Sequence, residues 1–404
     1  MMLLSIAWKN IWRNKTRSLI IMTAIALGLS GGLISMAINV GMVDQMVKSA
    51  ILTWLSHIQI HNPGFARDRD TDFTVPDAMK LTDGIGQIGG VHAASPRVVV
   101  TAMASSPVTA TGVQIFGIEP AREADVSVID QSIRQGTYFK SNFRNPVIIG
   151  EKLSEILDIG IGSKLVLTFQ NDSGEITGGA FRVEGIFKTV SSDFDKGNVF
   201  VKAGDLWRLL GADSIYQEIA VLLENSNALD SVQSRIKLLA PEMKVDTWKT
   251  LAPELEYSTE VMGSTLYIFM AVILLALAFG IVNTMLMVVL ERRRELGVLM
   301  SVGMSRKSVF WMIVLETVVL SVTAAFCGML ITAVAMLILS NTGINLSYFA
   351  TGLQEFGVSE ILYPLLPWSM YFILTAMVIV TAVLAAVYPA LKAIRLRPAE
   401  ALRM

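Results

Sequence analysis

The sequence predicts an α-helical membrane protein with four transmembrane helices plus a large extracytoplasmic α+β domain. Three observations support this fold class. The 404 residues are 53% hydrophobic and only 17% charged, whereas soluble domains carry about 25% charged residues. Four apolar runs each reach the ~20 residues that a helix needs to cross a bilayer. Between the first and second runs, polar and charged residues return over a stretch long enough for a separate domain.

The four apolar runs set the boundaries of the predicted spans. We assign these spans to residues 18–43, 261–290, 308–339 and 369–391. The first run is longer than the ~7–15-residue apolar core of a signal peptide, and no clear small-residue cleavage site ends it. We therefore interpret this run as a retained signal anchor.

The distribution of positive charge predicts the orientation of the spans. Lysine and arginine are concentrated before the first span, in the connection 291–307 and in the tail 392–404, whereas the loop 340–368 contains neither. Short cytoplasmic flanks carry such positive charge. Both termini and the 291–307 connection are therefore predicted to be cytoplasmic. The 340–368 loop and the domain at 44–260 are predicted to lie outside.

Residues 1–17 predict an amphipathic helix ahead of the first span. Leu4, Trp8, Ile11 and Trp12 fall on one helical face, and the basic residues lie largely off it. Such a helix lies in the headgroup layer of the membrane. A functional elbow helix and a basic flank that only orients the first span both remain open.

The domain at 44–260 is predicted to be one α+β unit that is split by a β-rich insertion at about 112–210. A strand–helix–strand pattern occurs at its beginning and again at its end, while the middle is mostly strand-like. The segments that carry the two patterns are 57–61, 78–89, 98–102, 217–223, 226–239 and 243–248.

The sequence lacks the common motifs for phosphate binding and for metal sites. It has no G-x-x-x-x-G-K-[ST] phosphate loop, no H-E-x-x-H and no paired C-x-x-C. We therefore predict that the chain is not an enzyme and assign no catalytic, cofactor-binding or metal-binding residues. His57 and His61 are four residues apart, but their segment alternates like a strand, so packed or solvated histidines are favoured over a metal site. The net charge of −1 gives no support for a nucleic-acid partner.

Two polar residues lie within the predicted spans. Asn283 is in the second span, and Glu316 interrupts the third about two turns from its start. Polar groups inside a membrane are functional candidates, but they also form interhelical hydrogen bonds that fix packing. We favour the packing interpretation for both, more strongly for Asn283 than for Glu316.

The connection at 291–307 has a regular arrangement of charged and apolar residues that a plain loop between two helices does not need. A charged cluster precedes a short helical stretch with an apolar face, then a glycine, then Ser305, which is typical of a helix N-cap. The positive-inside rule explains the arginines but not the apolar face. We therefore expect a short cytoplasmic coupling helix with enough structure to press against a cytoplasmic partner.

Several segments of the sequence resemble one family. The run E-R-R-R-E-L-G-V-L-M-S-V-G-M-S from Glu291 resembles the coupling segment of the MacB/LolC–LolE/FtsX family of ABC transporter permeases. The C-terminal Y-P-A and P-A-E-A-L-R resemble the closing signature of that family, and A-W-K-N-I-W-R-N-K-T-R resembles its opening elbow helix. The external segments G-E-K-L-S-E-I-L-D-I-G-I-G-S-K-L and F-R-V-E-G-I-F-K-T are also similar. The resemblance thus covers essentially the whole chain.

The resemblance implies a fold, a location and a set of partners. The external domain would comprise a porter-like unit and the β-rich insertion, in a multi-pass protein of the bacterial inner (cytoplasmic) membrane. Two permease chains, the same or homologous, would pair above a dimer of cytoplasmic ABC-type ATPases, which bind the ATP. The ATPase-coupling residues implied by the resemblance are Glu291, Arg292, Arg293, Glu295, Leu296, Gly297, Met300 and Gly303.

Within the family, the chain is most similar to the lipoprotein-releasing LolC/LolE type. MacB carries a fused ATPase domain, and FtsX has a much smaller external domain. This similarity implies a lipoprotein cargo, a periplasmic acceptor and contact with membrane lipid. An efflux or peptide-export permease is the alternative within the family. A transmembrane regulator of an external hydrolase is the alternative from another class.

Overall fold

A computed structural model describes residues 15–65, 70–170, 174–355 and 357–395. Their contacts divide the chain into two compact units. The membrane unit comprises Met1–Asp44, Ser258–Asn345 and Ile361–Met404, and the external unit comprises Gln45–Tyr257 and Leu346–Glu360. The predicted elbow helix at 1–17 lies outside the described residues except for its last three positions, and most of the predicted tail at 392–404 also lies outside them.

The secondary structure alternates between long helices and a strand-rich central region. In chain order the elements are α1 (Lys15–Ala50), β1 (Ile58–His61), α2 (Ala78–Gly86), β2 (Val91–Ser105), β3 (Ala110–Ile118), α3 (Pro120–Glu123), β4 (Ile133–Gly136), β5 (Pro146–Gly150), α4 (Glu151–Leu157), β6 (Lys164–Gln170), β7 (Ile176–Phe187), α5 (Ser192–Gly197), β8 (Asn198–Lys202), α6 (Ala203–Leu210), β9 (Glu218–Leu223), α7 (Leu229–Leu239), β10 (Lys244–Thr247), α8 (Trp248–Leu251), α9 (Pro253–Glu291), α10 (Arg293–Ser301), α11 (Arg306–Thr342), β11 (Ile344–Asn345), α12 (Ala350–Glu355), β12 (Ile361–Leu362) and α13 (Trp368–Ile394).

Four helices among the described residues are long and apolar enough to cross a membrane. They are Ser18–Leu55, Pro253–Glu291, Arg306–Thr342 and Trp368–Ile394. The first begins where the sequence predicts but runs past Val43, ending in a π-helical turn at Ile51–Leu55. At 1.5 Å per residue, the 36 residues of α1 and the 39 residues of α9 are each longer than a ~30 Å hydrocarbon core. Both helices therefore continue beyond the apolar span.

Helices α1 and α11 of the membrane unit approach each other closely at one point. Gly328 of α11 faces the backbone of Ala26, where an added Cβ would come within 2.9 Å of the Ala26 carbonyl oxygen. The Ser30 hydroxyl donates to the Gly328 carbonyl at 2.9 Å. Small residues that allow such backbone approach, together with hydroxyl hydrogen bonds, are how membrane helices pack without a hydrophobic driving force.

The external unit contains two strand–helix–strand units whose strands share one sheet. Two strand–helix–strand units, β1–α2–β2 and β9–α7–β10, form antiparallel strands in the order β10-β1-β9-β2. This order with two helices is the split βαβ, ferredoxin-like arrangement. Ile58 and Ile60 of β1 are fully buried, and the alternating polar residues Gln59 and His61 are buried as well.

The β-rich insertion closes on itself. Strand β2 is long enough to pair with β9 through its first half and with β3 and β6 through its second half. The pairs β3–β8, β8–β5, β5–β7 and β7–β6 complete a six-stranded ring. Closure leaves few strand edges exposed. This region holds strands β3, β5, β6, β7 and β8, together with the short elements β4, α5 and α6, which were not predicted.

Candidate functional site

The coupling segment is a separate short helix between two long ones. Helix α9 ends at Glu291, α10 occupies Arg293–Ser301, and α11 begins at Arg306. Arg292 lies at the junction of α9 and α10 with φ −91° and ψ 16°, outside the helical region. This residue therefore turns the chain between the second membrane helix and the coupling helix.

The side chain of Arg292 ties this junction to the third membrane helix. Its Nη1 donates to both carboxylate oxygens of Glu316 on α11, at 3.1 and 3.3 Å. Its Nε donates to Glu295 of α10 at 3.1 Å. The Arg292 and Glu316 side chains are only 12% and 8% exposed. One guanidinium thus joins α9, α10 and α11, because its fork of donors can serve two carboxylates at once.

The coupling helix has one face packed inward and one face open. Leu296 is buried, with 2% of its surface exposed, and Gly297 is also buried. Val298 and Val302, on the opposite side, are exposed, with Val302 84% exposed, and Leu299, which lies beside Leu296 on the helix, is also exposed. Exposed apolar side chains in a cluster favour contact with another protein. Helix α10 therefore packs on its own unit through Leu296 and Gly297 and leaves an apolar surface exposed.

The turn after α10 requires glycine. Gly303 has φ +106°, a left-handed conformation that side chains make unfavourable. The backbone N–H groups of Gly303 and Met304 donate to the carbonyls of Met300 and Leu299, which closes the helix end. Ser305 then caps α11 by accepting a hydrogen bond from the Ser308 backbone N–H at 3.2 Å, as the sequence predicts.

The remaining candidate residues differ in how much of their surface is exposed. Glu291 is exposed at the end of α9, and Arg293 and Met300 are half-buried on α10. Of the implied coupling residues, Leu296 and Gly297 therefore face the protein interior, while the exposed apolar positions were not among them. The signal that could have identified those positions is the 3.6-residue period of α10 once Leu296 is placed inside.

The two intramembrane polar residues differ in their surroundings. Glu316 is buried and ion-paired with Arg292. Its contact is therefore with the residue that lies between α9 and α10. Asn283 lies on an exposed side of α9. Among the hydrogen bonds of the described residues, none involves its side chain. An interhelical bond through Asn283 remains a prediction, for contact with another chain.

Polar residues in the external unit form a buried ion-pair cluster. The fully buried Arg97 donates to Glu123 at 2.7 and 3.0 Å, to Glu218 at 3.0 Å, and to the Trp54 carbonyl at 2.8 Å. Burial raises the pKa of Glu218, although Arg97 opposes the shift. A side chain with this many partners on three segments fixes their relative positions. We assign this cluster a structural role.

The two histidines considered in the sequence are packed side chains. The His57 Nδ1 accepts from the Leu223 backbone N–H at 3.2 Å, and its Nε2 lies 3.1 Å from the Ser226 hydroxyl. The His61 Nε2 lies 3.1 Å from the Asp246 carboxylate. The described part of the chain holds no group of three or more metal-ligating side chains.

Comparisons with known proteins identify permeases that are similar to this chain. Residues 267–398 match the family model described as FtsX-like permease C-terminal. The lipoprotein-releasing system transmembrane protein LolC of Neisseria meningitidis serogroup B is 24% identical, with 97% of this chain and 95% of LolC covered. The macrolide export ATP-binding/permease protein MacB of Brucella abortus is 25% identical, with 84% of this chain and 55% of MacB covered.

A solved structure is also similar. The periplasmic region of MacB from Actinobacillus actinomycetemcomitans is 13% identical with a TM-score of 0.36, and the match covers 52% of this chain and 97% of that region. The matched permease domain contains the Arg292–Glu316 junction, the coupling helix and the last two membrane helices. The chain is a membrane protein that carries an FtsX-like permease domain at residues 267–398, and it is similar to the LolC and MacB permeases of the same ABC transporter family.

Proposed function

We propose that this chain is a permease subunit that couples ATP hydrolysis by a separate cytoplasmic ATPase dimer to motion of its extracytoplasmic domain. The observation that carries the proposal is the two-sided coupling helix. Its exposed Val298, Leu299 and Val302 offer an apolar contact, and its inner side is fixed to α11 through Arg292 and Glu316. A partner that moves α10 would therefore also move two membrane helices.

The lengths of the helices support transmission of that movement. Helix α9 continues without interruption from Pro253 to Glu291, so its cytoplasmic end adjoins α10 and its other end reaches the last residues of the domain. A continuous helix is a stiff element that moves largely as one body. We propose that ATP-driven displacement of α10 reaches the domain through α9, and that no channel through the membrane is needed.

The orientation follows from charge and belongs to the same proposal. The 291–307 connection contains Arg292, Arg293, Arg294, Arg306 and Lys307, and the 340–368 loop contains no lysine or arginine. Both termini and α10 would then be cytoplasmic in a bacterial inner membrane. The second permease chain, the same or homologous, would pair within the membrane, where Asn283 is exposed on α9.

We propose lipoprotein release from the membrane to a periplasmic acceptor as the transport reaction. The LolC relative is matched over 95% of its length, whereas MacB is matched over only 55%. Export of a small molecule is the second candidate, because the MacB relative shows comparable identity over 84% of this chain. The cargo reaction is tested separately from the coupling.

The coupling is tested by purifying the protein from its native membrane and measuring ATP hydrolysis in the complex. We expect an ABC-type ATPase to co-purify, and Leu299→Asp or Val302→Asp to abolish its association. Val108→Asp is the matched control, because Val108 is also highly exposed but lies in the β2–β3 loop. Co-purification of an external hydrolase without an ATPase would instead support a transmembrane regulator.

The cargo is tested with proteoliposomes that contain the purified complex. We expect ATP-dependent release of a diacylated or triacylated lipoprotein to a soluble acceptor, and loss of release in the Val302→Asp complex. ATP-dependent macrolide movement without lipoprotein release would favour the export alternative. If the complex catalyses neither lipoprotein release nor macrolide movement, both cargo proposals are contradicted. The proposed contact with the ATPase would not be affected by that result.

A further inference from the structure

The segment between the third and fourth membrane helices is a compact structure. Its ends pair as β11 and β12 through Ile344↔Leu362 and Asn345↔Ile361. The ladder continues where the Leu346 backbone N–H donates to the Glu360 carbonyl at 2.8 Å. Inside this closure, the Gln354 side-chain amide donates to the Glu360 carboxylate at 3.0 Å. We call residues 346–360 the docking loop.

The base of the docking loop is seated on α1 within the membrane unit. The Leu365 backbone N–H donates to the Ala37 carbonyl at 3.0 Å. An added Cβ at Gly41 would collide with the backbone at Tyr363 and Pro364, so the two segments are in direct backbone contact. The strand that leaves the docking loop is therefore fixed to the first membrane helix.

The docking loop itself packs within the external unit. Helix α12 contacts α5, and the Cβ position of Gly357 lies 3.9 Å from the Cβ of Ser191, the N-cap of α5. Val358 is 2% exposed, although it belongs to a connection between two membrane helices. A buried valine in such a connection indicates a real packing contact.

The surface that receives the docking loop is rigid. The Thr189 backbone N–H and hydroxyl donate to the Asp195 carboxylate at 2.6–3.1 Å. Gly150 at the end of β5 lies against the Asp195 backbone with no room for a Cβ. Phe194 packs against both Phe187 and Phe200, with ring centroids 6.0 and 6.3 Å away. Displacement of α5 would therefore displace the closed β-ring.

From these contacts we infer that the docking loop is a second mechanical connection, which transmits movement of the α11–α13 pair to the β-rich insertion, with Val358 and Gly357 as its positioning residues. The inference rests on the proposed coupling function and adds a route that does not pass through α9. The ring would receive movement through α5, while α9 acts on the split α+β unit. Both routes are needed for the full amount of cargo released per ATP hydrolysed.

The inference is tested with two variants in the ATPase complex in proteoliposomes. Val358→Ser removes the buried side chain, which should lower the ratio of docked to undocked loop about tenfold, and we expect cargo release per ATP hydrolysed to fall with it. The rate of ATP hydrolysis should stay within about twofold. Tyr348→Ser is the control, because Tyr348 lies in the same loop and is 92% exposed. Unchanged release per ATP in Val358→Ser would overturn the inference.

A cross-link tests the contact between Gly357 and Ser191 separately, so the result does not depend on whether the Val358→Ser variant folds. In a Cys327→Ser background, which removes the single native cysteine, Ser191→Cys and Gly357→Cys should form a disulfide under mild oxidation, because 3.9 Å lies within the usual Cβ–Cβ range. Gly357→Ala is the matched control for the cost of placing a side chain at φ +68°. We expect the cross-linked complex to retain release, since the loop moves with α5. Absence of the cross-link, or its formation with loss of release, would overturn the inference. Loss of ATPase association in the parent complex would instead count against the proposed function.

Discussion

Replacing Glu316 with glutamine should weaken the junction that joins the coupling helix to the third membrane helix. Arg292 and Glu316 are 12% and 8% exposed and approach to 3.1 Å. Removing one partner of a buried pair typically costs ~3–5 kcal/mol, because the other charge is left uncompensated. Arg292 keeps its contact with Glu295, so we expect the lower end, about 3 kcal/mol of the free energy of unfolding.

The measurement is a double-mutant cycle in mixed detergent micelles. The free energy of unfolding is determined for the unmodified protein, Arg292→Gln, Glu316→Gln and the double variant. If the two side chains interact as the structure shows, the double variant should be more stable than additivity predicts by ~2 kcal/mol. Glu295→Gln is the matched control, because its side chain is 46% exposed and such pairs contribute at most ~1 kcal/mol.

The same variants separate stability from coupling. We expect Glu316→Gln to lower stimulation of ATP hydrolysis in the complex while ATPase association persists, because Val298, Leu299 and Val302 are unchanged. Additivity within ~0.5 kcal/mol would refute the ion pair as a stabilising contact. Full ATPase stimulation in a folded Glu316→Gln complex would refute its role in transmitting movement.

Three further predictions concern single positions. Gly303→Ala should destabilise the turn after α10 by ~1–2 kcal/mol, because φ is +106°, and should lower ATPase stimulation, whereas Gly263→Ala, in a helix with open space around the glycine, should not. Burial raises the pKa of Asp195 from 3.8 to about 6, so stability should fall as pH rises between these values, by roughly 3 kcal/mol in total; Asp195→Asn should remove this dependence in thermal unfolding at pH 4–7, and an unchanged profile would contradict it. Arg97→Met should cost ~3–5 kcal/mol, because it leaves Glu123 and Glu218 buried without their cation; a calorimetric loss below ~1 kcal/mol would contradict the role assigned to that cluster.

Much of the architecture was predictable because it depends on local pattern. The apolar runs identify the four long helices, since length and hydropathy alone decide whether a helix can cross a bilayer. The alternation at Ile58 and Ile60 predicts strand β1, and Ser305 predicts the start of α11. The short elements β4, α5 and α6 were missed, because a few residues give too little periodicity to separate them from loop.

The contacts within the candidate site were not predictable in the same way. Glu316 could be recognised as a polar group within a span, but its partner Arg292 is 24 residues away and was assigned to a cytoplasmic segment. Leu296 and Val302 have similar chemistry, yet one is buried and the other exposed. The difference depends on which side of α10 meets the neighbouring helices, and that orientation is a property of tertiary packing.

The sequence by itself determined that this chain has four long apolar helices, a mixed α+β domain between the first two, and a short helical segment with a cluster of arginines. These features follow from hydropathy, charge distribution and periodicity, which act over neighbouring residues. Only the tertiary structure decided that Arg292 holds Glu316, that Val298, Leu299 and Val302 face outward, and that Val358 is buried within the external unit. Those contacts join residues far apart in the chain, so their free energy depends on how the elements pack against one another.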